Sequence, residues 1–469
     1  MSEQQVPLDR RRAGVLLHVT SLPGPAASGD LGDEAYRFVD FLEAAGCSVW
    51  QLLPLAPTHP DDGSPYNALS AMAGNAAMIS TEHRAARGLE DLALITDDQR
   101  AAFSSWCAAQ ADWLEPYVEF AALRELHDLA PWPTWAPALR DRDAPSVAAA
   151  LAPLADRVER LRFEQWVFAV QWAGLREYAA SRGVLLFGDL PIFVSLDSAD
   201  VWASPELFHL DDDRRPITVS GCPPDYFAAD GQRWNNPHYD WDAMAADGFA
   251  WWRRRIARQR DFFDLVRIDH FRAFDAAWHV PADAPTAREG RWVPAPGSDI
   301  LSVLVDTAGP GTLVAEDLGV ITPEVDALRT RFGLPGMKVL QFAFDGDRDN
   351  LHLPRQHEEQ SVVYTGTHDN DTTVGWWEQL DDATRDLVRS CLSDPDEPMP
   401  WALIRLAMES TARLGVVPAQ DVLGLGSESR MNTPGTAAGN WSWRAPEGAF
   451  DGALATRLRE LVAATGRLG

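Results

Sequence analysis

At 469 residues and 46% hydrophobic content, the chain is long enough to bury a large core and has no compositional mark of disorder. Its formal net charge of −28 argues against nucleic acid or an anionic membrane as a partner. There is one lysine, Lys338, and no GK[ST] motif, which excludes a P-loop phosphate site and leaves Schiff-base chemistry only a mid-strand candidate.

The four cysteines (Cys47, Cys107, Cys222 and Cys391) are widely spaced, with no CxxC pair. They speak against a structural zinc or a disulfide framework and fit a reducing compartment. The opening "MSEQQVPLDRRR" lacks a signal-peptide core, and no run of ~18 apolar residues occurs, so a cytoplasmic protein with no membrane span is expected.

In chain order, "GVLLHV" (14–19) reads as a first buried strand. "DEAYRFVDFLEAAG" follows as a helix, with Phe38, Phe41, Leu42 and Ala45 at helical spacing and Gly46 as its stop. "SVWQLLPL" (48–55) completes a βαβ unit. A turn-rich stretch with Tyr66, "GSPYNALSAMAGN" (63–75), leads to an Ala-rich helical segment at about 82–180 that contains "PWPTWAP" (131–137). The third strand is "VLLFGDLPI" (184–192), followed at about 193–245 by a segment rich in Asp, Pro and aromatics. Within it, "DGQRWNNPHYDW" (230–241) reads as a loop carrying Trp234, Asn235, Asn236 and Tyr239. Five more strands are expected: "FDLVRID" (263–269), "TLVAEDL" (312–318), "MKVLQFAF" (337–344), "SVVYTGTHD" (361–369) and "QDVLGL" (420–425). Eight such runs predict a (β/α)8 TIM barrel of about 250 residues. The rest of residues 1–469 then forms large, mainly helical insertions after strands two and three. Most of the 19 tryptophans are assigned to the core, with a minority on loops able to stack on sugar rings.

Three runs end in carboxylates: Asp269, then Glu316 with Asp317, then Asp369. The C-terminal strand ends of a barrel converge on one pocket, and cleavage of a glycosidic bond needs two carboxyl groups flanking it. Any one of these residues alone is as readily a helix cap. Three together, beside Arg267, His270 and His368, favour chemistry. They also admit, as a rival reading, a divalent-metal cage of Asp269, His270, Glu316, Asp317, His368 and Asp369.

The chain resembles the 4-α-glucanotransferases, or amylomaltases, of the α-amylase clan. The resemblance runs nearly end to end through "SLPGP", "SPYNALSAMAGN", "GDLPIFV", "DSADVW", "GCPPDYF", "GQRWNNP", "RIDHFRAF", "AEDLG", "PGMKVLQFAF", "TGTHDN", "GLGSESRMNTPGT" and "NWSWR". It implies a retaining transglycosylase that passes α-1,4-glucan segments from a maltodextrin to the 4-hydroxyl of another glucan or of glucose. Asp269 would be its nucleophile, Glu316 the acid and base, and Asp369 the third carboxylate, assisted by His368. Arg267 would keep Asp269 ionised, Tyr66 would stack on a glucose, Trp234 would lie over the acceptor side with the 193–245 insertion, and Asp189 would lie near the pocket. No metal or organic cofactor is implied. Retention expects the two reacting carboxyls roughly 5–5.5 Å apart, and crowding by Asp269, Asp317 and Asp369 is expected to raise the Glu316 pKa. Ala273 and Asn235 stand where the family commonly has Gly. A hydrolase with the same carboxylates is the near alternative; a metal-dependent barrel enzyme and a silent glucan binder are more distant ones. Oligomeric state stays open.

Overall fold

The computed structural model describes residues 7–224, 229–436 and 438–468. Twelve strands are found among them: β1 Arg12–Leu16, β2 Val49–Gln51, β3 Leu185–Pro191, β4 Thr218–Cys222, β5 Gln232–Pro237, β6 Leu265–Asp269, β7 Ala276–Pro281, β8 Arg291–Pro294, β9 Leu313–Ala315, β10 Gly336–Val339, β11 Ser361–Tyr364 and β12 Leu414–Pro418. Eight of them pair in the order β10-β11-β12-β1-β2-β3-β6-β9, every neighbouring pair parallel. Where the sheet comes round on itself, the Ala315 N–H donates to the Pro335 carbonyl at 2.9 Å. This is the (β/α)8 barrel expected from the sequence.

Seven of the eight predicted runs overlap these strands, and the eighth does not. Residues 420–425 are not a strand; a short helix, Ala419–Val422, stands there, and the barrel is completed by Leu414–Pro418. That run, "LGVVP", is broken by a glycine and ends in a proline, both poor strand signals. Pro418 sits at the last register position, opposite Leu16, where a missing N–H costs the ladder least.

Strand alternation sorts the core into two layers. One face of the barrel strands sends Leu16, Val49, Phe187, Leu265, Val314, Met337, Val339, Val362 and Leu414 into the barrel interior. The other meets the surrounding helices, beginning with Asp33–Ala44, which buries Ala35, Phe38, Val39, Phe41 and Leu42. The helix Ala155–Ser181 runs into β3 and packs Trp172 on Phe262 and Phe263. It is therefore the barrel's own outer helix, while Asp97–Ala109 and Ala111–Leu126 pack against it. The two tryptophans of "PWPTWAP" are core: Trp132 and Trp135 are buried, and the Trp132 indole N–H donates to the Leu196 carbonyl at 2.6 Å.

The stretch 230–241 differs from its expected loop. Gln232–Pro237 is a strand of an antiparallel sheet ordered β5-β4-β7-β8, whose last two strands come from beyond β6. The polar sequence "QRWNNP" has no hydrophobic alternation, so its pairing is visible only once β4 lies beside it. Asn235 takes φ 64°, a backbone region open chiefly to Gly and Asn, so asparagine keeps the conformation that glycine would supply. Of "GCPPDYF" (221–227), residues 225–227 lie outside the described residues.

Candidate active site

Alternation along β6 explains why a strand should carry charges. Leu265 fills the barrel interior, so Arg267 and Asp269, two and four residues on, face inward as well. On β3, Phe187 points inward and Asp189 follows it. On β9, Val314 does so and Glu316 continues the same face just past the strand end. Three neighbouring strands thus aim Asp189, Arg267, Asp269 and Glu316 into one mouth. By the same rule Asp317 faces outward, where its carboxylate accepts from the Met337 N–H at 2.6 Å. Lys338, between the inward Met337 and Val339, also faces away from the mouth.

Arg267 is the hub. One guanidinium nitrogen donates to both Asp189 oxygens at 2.8 and 2.6 Å, and the other lies 2.8 Å from Asp269 Oδ1. The Tyr66 hydroxyl donates to Asp189 Oδ2 at 2.7 Å. Asp189 and Arg267 are almost wholly buried, and a buried ion pair holds only when its hydrogen bonds are satisfied, as these are.

Glu316 is held by backbone. Its Oε2 accepts the His270 N–H at 2.6 Å and its Oε1 the Leu318 N–H at 2.8 Å. His270 can aim that amide because it adopts the left-handed region, φ 52°, which costs a non-glycine residue roughly 1–2 kcal/mol. Main-chain bonds tie the same strand ends together: the Glu316 N–H donates to Ile268 at 3.0 Å and the Phe271 N–H to Glu316 at 3.2 Å. Ala273, in the turn that follows, has a negative φ and needs no glycine.

Burial pushes the Glu316 carboxyl up to about 8, reinforced by the charge of Asp269 and opposed by Arg267 and the two N–H bonds. Desolvation, rather than the crowding expected from the sequence, is the leading cause. Burial likewise lifts Asp269 to about 6 in spite of Arg267, which lowers it. Arg267 restrains that rise without returning the group to the ordinary carboxylate range.

Asp369 is placed differently. It lies beyond the end of β11, in a turn where the Asn370 side chain accepts the Thr367 N–H at 2.9 Å. Its Oδ1 accepts from Asn432 Nδ2 at 2.6 Å and lies 3.4 Å from His368 Nε2, and its carbonyl accepts from Arg430 at 2.6 Å. The Tyr66 ring stacks on His368, with centroids 5.1 Å apart and planes 14° apart, and tilts against Trp441. Two clefts adjoin that pair, the first lined by Tyr66, Asp189 and Phe193, the second by His368, Asp371 and Arg430. Trp234, on β5, meets the His270 ring edge-on at 4.7 Å.

The metal cage foreseen as an alternative does not assemble: Asp317 turns outward to the Met337 N–H, and both Glu316 oxygens are taken by the His270 and Leu318 N–H groups. Among the described residues no group of three or more His, Cys, Asp or Glu is arranged to hold an ion. Several contributors to the site carry no role legible in the sequence. Asn432 and Arg430 stand in "SRMNTP" within a quoted motif that carried no role, and the His270 and Leu318 amides have no side-chain signature.

A parallel eight-stranded barrel with carboxyls at its C-terminal mouth is an architecture suited to (β/α)8 enzymes that act on glycosidic bonds. The comparisons go further. A family model described as 4-alpha-glucanotransferase matches residues 17–97 and 86–449, and the chain belongs to that family. The 4-alpha-glucanotransferase of Thermus thermophilus is 46% identical across 98% of this chain and 99% of its own length. The chloroplastic/amyloplastic enzyme of Solanum tuberosum is 43% identical across 98% and 87%. The amylomaltase of Streptococcus agalactiae, solved in complex with acarbose, superimposes with a TM-score of 0.94 at 32% identity over 98% of this chain and all of its own. The protein is an enzyme of α-1,4-glucan transglycosylation. Among the described residues no helix is long and apolar enough to cross a membrane.

Proposed function

We propose that transfer proceeds with retention through a covalent glycosyl-enzyme. Asp269, as carboxylate, attacks the anomeric carbon of an α-1,4-linked donor while Glu316, as acid, protonates the departing glycosidic oxygen. Glu316 then takes the proton from the 4-hydroxyl of an acceptor glucan or glucose, whose oxygen displaces Asp269 and restores both groups. Asp369, held by Asn432 and beside His368, grips the hydroxyls of the reacting sugar. Tyr66 forms one wall of the donor site, Trp234 lies on the acceptor side, and Asp189 with Arg267 fixes Asp269. The donor is a malto-oligosaccharide or starch-like glucan, and the residues named supply the acid, base and nucleophile without a cofactor. The division into a barrel at 1–469 with two insertions, the first giving way to the barrel's own helix at Ala155 and the second near 193–245, puts the acceptor-side wall in the second insertion. Free thiols at Cys47, Cys107 and Cys391 suit a reducing compartment, and we place the enzyme in the cytoplasm.

The observation that carries this reading is the different setting of two carboxyls at one mouth: Asp269 lies 2.8 Å from the Arg267 guanidinium, while Glu316 is buried and bound by main-chain N–H groups. The cation favours the charged form of Asp269, and burial favours the protonated form of Glu316. The test is incubation with maltotriose and separation of products by length. Glucose plus a ladder of longer maltodextrins is expected. Glucose and maltose with nothing longer would make water the acceptor and overturn it.

A further inference from the structure

The eight-stranded sheet begins at β10 and ends at β9, so the seam between these two has no strand ladder. Beyond the Ala315 bond to Pro335, that seam is held by a side chain. The outward-facing Asp317 reaches across it, its Oδ1 accepting the Met337 N–H at 2.6 Å, while its Oδ2 lies 3.3 Å from Arg329 Nε. The reach is close because residue 336 is glycine: a Cβ there would stand 2.3 Å from Asp317 Oδ2. Asp317 lies between Glu316 and Leu318, whose N–H is one of the two donors to the Glu316 carboxyl. Whatever fixes residue 317 therefore fixes both the Glu316 side chain and the amide that orients it.

We infer that Asp317 and Gly336 form a clasp that closes the barrel at β9–β10 and positions Glu316 for proton transfer. Asp317 is a positioning residue, since it faces away from the mouth. The inference rests on the acid–base role proposed for Glu316.

The experiment compares two donors. Maltotriose needs its leaving oxygen protonated; α-maltotriosyl fluoride releases fluoride as an anion and does not. Asp317→Ala removes the clasp with its charge, and Gly336→Ala displaces the Asp317 carboxylate while leaving the charge in place. Both variants are expected to lower kcat on maltotriose roughly 10- to 100-fold, the scale of a misplaced catalytic group, and to leave first-turnover fluoride release nearly intact. Asp317→Asn, which keeps an oxygen for the Met337 N–H, is expected to recover much of the maltotriose rate. The basic limb of kcat/KM should move to higher pH in Gly336→Ala, because the loosened N–H bonds are what hold Glu316 down. Loss of a like charge through space would move it to lower pH. Equal loss on both donors, no loss on either, or a limb moving to lower pH in Gly336→Ala would overturn the clasp. Glu316→Gln separates this from the underlying reading: if it does not itself split the two donors, the acid role of Glu316 has failed, whatever Asp317 does.

Discussion

Asp269 and Asp369 open onto the same mouth and are held by different kinds of structure. Asp269 is the last residue of β6, tied to a buried arginine that is itself pinned by Asp189 on the adjoining strand. Asp369 stands on a turn past β11, its side chain 45% exposed against 29% for Asp269, and depends on Asn432 from a distant loop. Glu316 belongs with Asp269: ladder bonds to Ile268 and Phe271 and two amides fix it. In the mechanism proposed above, the strand-built half would hold the groups that meet at bond-making distance, and the loop-built half those that grip a flexible sugar. Rigid elements place reacting atoms more finely than loops do.

The comparison can be broken most sharply at Asp269. Asp269→Asn removes the attacking oxygen and is expected to cut kcat on maltotriose on the order of 10⁴-fold or more, read by glucose release. Turnover near the parent rate would remove Asp269 from the chemistry. Asp189→Asn acts on the same half through stability: it weakens a fully buried pairing with Arg267 and should lower urea unfolding stability by about 3 kcal/mol. An unchanged urea midpoint would show the ion cluster to be unimportant to the fold.

The pH dependence sharpens the contrast within the strand-built half. The nucleophile must be ionised and the acid protonated, so kcat/KM should rise with pH through about 6 and fall above about 8. These limbs belong to the pair as a unit. A flat profile from pH 5 to 9 would contradict the assignment, a range set by the ~1-unit reach of each limb.

The smallest effect is expected in the loop-built half. Asn432→Ala removes one charge-assisted hydrogen bond to Asp369 and should cost about 10-fold in kcat. Thermal stability should barely change, since the loop lies outside the barrel ladder. A loss as deep as that of Asp269→Asn would erase the distinction between the halves.

Much of this was legible in the residues. The runs ending in Asp269, Glu316 and Asp369 carry buried-strand patterning followed by carboxylates, and the barrel follows from counting such runs. "LGVVP" escaped because glycine and proline mask a strand whose partners tolerate them. "QRWNNP" escaped because its order comes from β4 rather than from its own periodicity. Asp317 was grouped with the crowding carboxylates, although the period of two puts it on the opposite face from Glu316.

By itself, then, the sequence determined the barrel class through its burial patterning and the family through its quoted motifs, because both are local properties of the chain, and it nominated Asp269, Glu316 and Asp369 as candidates. Only the tertiary structure decided that Arg267 bridges Asp189 and Asp269, that Asn432 reaches Asp369, and that burial rather than like charge lifts Glu316. Each of these depends on which distant segments enclose a group and exclude water from it. Separations of 78 positions between Asp189 and Arg267 and 63 between Asp369 and Asn432 carry no sign of those meetings until the barrel closes.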